Sequence, residues 1–139
     1  MRDCTKYLVK ELVAGIKTAT GLPCWTKVPK GDDGNPTVIP YVHIANISNI
    51  EVGTKSIFMY NYSLSIEIVY AGLDDKVSLW DKIDKVKNIF SNKVPFELEG
   101  NFEIMTTELI SSSEREDLFG SIDIDIATVT IEFLIKDNN

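Results

Sequence analysis

Between Phe58 and Tyr70 the chain alternates with a period of two: Phe58, Tyr60, Tyr62, Leu64, Ile66, Ile68 and Tyr70 share one parity, and Met59, Asn61, Ser63, Ser65, Glu67 and Val69 the other. Successive side chains of an extended strand point to opposite faces, so this run predicts one strand with an apolar face and a largely polar one. At roughly 3.3 Å per residue it spans about 43 Å. A compact domain of 139 residues has a radius of gyration of roughly 14 Å and a diameter of about 37 Å. Such a strand crosses the whole body and can project from it, and projecting strands usually find a partner.

The flanking segments divide into helices, shorter strands and loops. Thr5–Thr20 predicts a helix: Leu8, Leu12, Ile16 and Ala19 make an apolar stripe, Asp3 or Thr5 can cap its start, and Gly21 followed by Pro23 stops it. Leu22–Val28, centred on Trp25, can add a brief strand. Pro29–Pro36, with two glycines between its prolines, reads as a solvated loop. It lacks the ligand spacing and terminal Glu of a calcium loop. Val38–Ile47 predicts a strand with apolar residues on both parities, and Pro40 puts its start at an edge or bulge. Asn46–Lys55 reads as a connection. After Gly72–Asp75, a second helix is expected over Asp75–Asn92, capped by Asp74 or Asp75, with Val77, Trp80, Ile83, Val86 and Phe90 on its buried stripe.

Leu98–Ile110 predicts a strand, with Phe102, Ile104 and Thr106 on one parity, and Ser111–Asp117 a polar, mobile connection. Ser121–Lys136 has strand character throughout, yet at roughly 53 Å it is too long for one straight strand of this body. Its apolar parity switches, from Ile122, Ile124 and Ile126 to Val129, Ile131, Phe133 and Ile135. A bulge near Ala127–Thr128 would turn both sets inward. A regular strand would instead present the first set opposite the core, as a contact for another subunit. The expected fold is α+β: a mostly antiparallel sheet of four to five strands with two helices packed on it, in the order α-β-β-α-β-β, as one domain over residues 1–139.

The residues name no reaction. No nucleophile elbow, zinc-protease, P-loop or dinucleotide motif is present. The single histidine, His43, lies in a strand with no partner that sequence can assign. Asp123 and Asp125 share a strand face, which could serve a cation or acid–base chemistry but more commonly marks a solvent face. The tyrosines of the long strand could stack bases, but they alternate with aliphatics at core spacing and lack basic flanks. A net charge of −7 argues against a phosphate-gripping surface. Cys4 and Cys24 lack metal-ligand spacing and read as free thiols of a reducing compartment, with a disulfide left open. The first residues carry no apolar signal-peptide stretch, and no run has the roughly 20 apolar residues of a membrane span.

The layout as a whole, an N-terminal helix ending in Thr20-Gly-Leu-Pro23, a Gly/Pro-rich loop leading to Pro40-Tyr-Val-His-Ile44, a long amphipathic strand, a helix carrying Trp80 and a terminal hairpin, resembles the tail-terminator and tail-completion (neck) proteins of double-stranded DNA bacteriophages. That resemblance implies a structural, non-catalytic subunit without a cofactor, made in a bacterial cytoplasm and located in the virion. It implies a homo-oligomeric ring, hexameric or dodecameric, that contacts adjacent neck, portal or tail proteins. DNA would pass through without being specifically bound, and an acidic lumen would let it slide. By loop position, the residues offered for subunit and ring contacts are Lys30, Asp32, Asp33, Asn35, Asn49, Lys55, Ser112, Glu114, Arg115, Asp123 and Asp125. The alternative is a non-viral α+β module that holds a small ligand or peptide on its sheet.

Overall fold

A computed structural model describes residues 3–54, 56–72 and 76–139. The elements are helix α1 (Thr5–Thr20), strands β1 (Cys24–Trp25), β2 (Tyr41–Glu51) and β3 (Phe58–Ala71), helix α2 (Val77–Ile89), and strands β4 (Phe102–Phe119) and β5 (Ile122–Asp137). They form the expected α+β arrangement: one five-stranded sheet in the order β1-β2-β3-β5-β4, antiparallel except for the short β1/β2 pair.

The first helix forms where its periodicity places it. Leu8, Leu12 and Ile16 are buried, and the stripe ends on Thr20 rather than Ala19. Thr20 satisfies its hydroxyl by donating to the Ile16 carbonyl at 2.7 Å, so a polar residue can close an apolar stripe. The N-cap position is Cys4, which makes no side-chain cap bond, so neither Asp3 nor Thr5 is the cap; Asp3, one residue earlier, accepts from the Thr5 backbone N–H at 2.8 Å. Gly21, at φ 70, takes the left-handed stop and donates to the Lys17 carbonyl.

In α2 the buried stripe is Leu79, Ile83 and Val86, extended by Phe90, whose ring meets Phe133 edge-on at 5.9 Å. Val77 and Trp80, expected on that stripe, are 63% and 50% exposed. The helix is turned so that Leu79 faces β3 and β5, which swings Trp80 to its flank. The proposed Asp74 and Asp75 caps lie outside the described residues.

The long strand β3 matches its pattern: Tyr60, Tyr62, Leu64, Ile66 and Ile68 are buried beneath the helices. Its burial of Tyr60 and Tyr62 removes them as a base-stacking platform. β2 starts after Pro40 rather than at Val38, and runs to Glu51 through a bulge between Ala45 and Ser48, where Asn46 has φ 56. That bulge absorbs part of what read as a connection.

The largest departures are in the final hairpin. Ser111–Asp117 is not a loop but the outer part of β4, paired residue by residue with β5. Polar residues form a ladder here because β5 presents its whole backbone edge to them. The turn is Gly120–Ser121, with Gly120 at φ 63. β5 in turn carries no bulge at Ala127–Thr128: its pairing with β3 runs without a shift from Asp137 to Ile124. The irregularities lie in β4 instead, between Ile104 and Thr106 and between Leu109 and Ser111. β5 is not too long for the body, since β3 and β4 are long with it.

A regular β5 sends its two apolar sets to opposite faces. Val129, Ile131, Phe133 and Ile135 join the main core under the helices. Ile124 and Ile126 face away from the helices and build a second cluster with Tyr41 and Val69, covered by Trp25, Val28, Ile39 and Phe119. The chain's own segment between β1 and β2 covers this face, which a bulge was expected to turn inward and which, in the alternative of a regular strand, was offered to another subunit. Ile122, at the turn, stays 48% exposed.

Candidate functional site

The sheet face opposite the helices carries a row of charges across its strands. Glu67 of β3 accepts at Oε1 from His43 Nδ1 at 2.9 Å, and Arg115 Nη2 of β4 lies 3.7 Å from Glu67 Oε2. His43 Nε2 lies 3.2 Å from the Thr26 carbonyl oxygen. His43 therefore has an orienting carboxylate, which sequence could not assign, and its ring nitrogens link β2 to β3 and to Thr26, just after β1. Nothing in this row presents a free nucleophile beside a base.

On the helix side, β4 meets α2. Trp80 Nε1 donates to Glu114 at 2.7 Å, and Lys76 Nζ lies 3.9 Å from both Glu116 and Asp125. Asp123 and Asp125 of β5 differ in surroundings: Asp125 is buried beside Lys76, and Asp123 is exposed beside the turn. Among the described residues, no group of three or more His, Cys, Asp or Glu is placed to hold a metal ion. The thiols of Cys4 and Cys24 are free and buried. Burial pushes Cys24 up to about 11 and also raises Cys4.

The loop bearing Lys30, Asp32, Asp33 and Asn35 closes on itself. Lys30 bridges Pro36, and the Asp33 carboxylate accepts from the backbone and side-chain nitrogens of Asn35 at 3.0 and 3.3 Å. These bonds favour its charged form and hold Asp33 below the usual carboxylate range. A Cβ added at Gly120 would lie 3.1 Å from Asn35 Nδ2, so this loop abuts the hairpin turn. The fold thus gathers the Lys30–Asn35 loop and Asp123 at the turn end of the sheet, with Ser112, Glu114 and Arg115 on the adjoining half of β4. Between loop and sheet is an open cavity of about 680 Å³, walled by Thr26, Lys27, Val28, Tyr41, His43 and Phe119. Asn49 is exposed on β2, paired with Tyr62 towards the other end. Lys55 lies outside the described residues.

The residues that sequence reasoning missed are the connectors. Tyr62 donates its hydroxyl to Asp3 at 3.0 Å and accepts the Cys4 N–H at 3.2 Å, fastening α1 to β3. Glu67 links His43 to Arg115. A lone charge among small polar residues on the long strand was its signal, but its partners are far away in sequence.

The most unusual surface is the outer half of β4. Every residue from Glu108 to Leu118 is exposed, and β4 is the last strand of the sheet. Its backbone edge has no strand partner among the described residues. An edge this long and open is a place where proteins pair or are covered.

These features define an α+β protein with a long, open sheet edge. No family model matches the chain, and no curated protein matches it. Among solved structures it is similar to a chain of the virion of a native gene transfer agent (GTA) particle, with a TM-score of 0.66 and 11% identity, covering 87% of this chain and 84% of that one. At that identity the likeness is one of fold.

Proposed function

We propose that this protein is a non-catalytic structural subunit of a phage-type virion, forming part of a ring at the neck or tail, around the channel through which DNA passes. The observation that carries this reading is the shared fold with a chain of a GTA virion over most of both chains. The open β4 edge supports it, because a long unpaired edge is a liability in a free monomer and useful in an assembly. The net charge of −7 suits a wall past which DNA slides without adhering. The partners in this reading are other copies of the chain and the adjacent neck, portal or tail proteins.

The test is mass spectrometry of purified particles from a producing strain, together with particles from a strain lacking the gene. The protein should be present in a small fixed copy number, and its loss should give heads and tails that do not join or tails of uncontrolled length. Particles that contain none of it and assemble normally without it refute the reading. The second reading, a ligand-binding module, draws on the cavity beside Tyr41 and His43. It requires a stable monomer, absent from particles, whose cavity variants lose a ligand.

A further inference from the structure

Two surface patches of this molecule carry opposite charge. The outer half of β4 carries Glu108, Glu114, Glu116 and Asp117 against the single cation Arg115. Arg115 reaches across the sheet to Glu67, and Glu114 is held by Trp80; Glu116, though 3.9 Å from Lys76, is 78% exposed, and with the exposed Glu108 and Asp117 it makes up the outward charge of the edge. From Ser111 to Phe119 the strand pairs regularly with β5, so its other backbone edge is straight as well as open. Leu109, Ile110 and Leu118 are 45%, 49% and 59% exposed along it.

The complementary patch is on helix α1, which crosses the helix-covered face from the start of β4, where Tyr7 meets Phe102 with ring centroids 5.8 Å apart, to β1. Lys6, Lys10, Ala14 and Lys17 are all exposed and follow one another at 4-4-3 spacing, so they form a single stripe along its outer face. Lys10 is engaged by Glu99 at 2.8 Å. Lys6 and Lys17 have no ion pair among the described residues, and Ala14 leaves a low point where a strand edge can approach. An exposed edge is commonly covered by a helix, and here one helix of the chain offers the matching charge.

We infer that copies of this chain associate head to tail, with the acidic β4 edge of one copy seated against the lysine stripe of α1 on the next. This deepens the ring reading above and names its interface. The two patches are on different elements, so the contact is heterologous and propagates into a ring, not a two-fold dimer. Lysine ammoniums would meet both the carboxylates and the free carbonyls of the edge, and Leu109, Ile110 and Leu118 would lose water against the aliphatic lysine stems and Ala14.

The test is sedimentation velocity on the purified full chain, at high micromolar concentration and low salt. The wild type should associate, and association should weaken as salt rises. Glu116→Lys with Asp117→Lys, and separately Lys6→Glu with Lys17→Glu, should each weaken it by at least about tenfold. Mixing the two variants should restore it, because each then supplies the charge the other lacks, and so should all four changes in one chain. Restoration excludes misfolding as the cause of the loss. A wild type that stays monomeric, or lysine variants that associate like wild type, overturns the proposal; the second result is what a two-fold β4–β4 pairing gives. The charge pattern and the particle test fail separately: a protein absent from particles that still obeys the swaps refutes the virion role and supports the interface. A particle protein indifferent to the swaps does the reverse.

Discussion

Replacing Ile126 by Ala tests whether β5 is a single regular strand with a covered outer face. Ile126 is 4% exposed, pairs with Val69, and lies in the cluster closed by Trp25, Val28 and Ile39. The substitution removes three side-chain carbons. At about 0.8 kcal/mol for each buried carbon the transfer loss alone is about 2.4 kcal/mol. The cavity left beneath Trp25 and Tyr41, whose rings sit 6.0 Å apart, adds to this and brings the total to about 3 kcal/mol, within the range for such truncations. For a domain of this size that lowers the melting temperature on the order of 10 °C. Ile122→Ala, four residues nearer the turn and on the same parity, removes the same atoms from a site already 48% exposed, and should cost under about 0.5 kcal/mol. Urea unfolding of the two variants and the wild type measures both. If Ile126→Ala costs no more than Ile122→Ala, the segment before β2 does not cover this face, and the second cluster is wrong.

Tyr62→Phe removes the hydroxyl that joins Asp3 and Cys4; a loss of about 1–2 kcal/mol is expected by urea unfolding, with faster amide exchange in the first turn of α1, and an unchanged exchange pattern there would refute the fastening role. Cys4 and Cys24 should resist a thiol reagent at pH 8 in the native protein and react on unfolding, because burial raises both pKa values, Cys24 to about 11; rapid native labelling would contradict their burial. Asp3 is held below its ordinary pKa, first by the Thr5 hydroxyl and then by the Thr5 N–H. Its contribution to stability is therefore present above the unfolded value of about 3.9 and fades as pH falls through the lower folded value. Asp3→Asn should flatten the acid limb of the stability curve below about pH 4, and an identical limb would refute this linkage.

The geometry also says why contact residues were harder to place than elements. The loop Lys30–Asn35 and the hairpin residues Asp123 and Arg115 were singled out one by one, as exposed polar positions. That the loop abuts Gly120 and that Arg115 reaches across the sheet to Glu67 depend on strands that are neighbours in space only. Trp80 shows the same limit within one helix. Its spacing fits a buried stripe as well as that of Leu79 does, and only the position of β3 and β5 beneath the helix selects Leu79.

The sequence alone determined whatever rests on short-range periodicity: α1 with its Gly21 stop, β3 with its tyrosine-bearing core face, and an α+β order with paired hairpins. A period of two or of about 3.6 is a property of adjacent residues and needs no partner to be read. Only the tertiary structure decided that Ser111–Asp117 is strand, because its ladder is supplied by β5 rather than by its own composition. The same holds for Ile124 and Ile126, whose parity switch admitted either a bulge or a regular strand. The unbroken pairing with β3 selected the regular strand, and cover from Trp25, Val28 and Ile39, far away in the chain, made its outer face a second core.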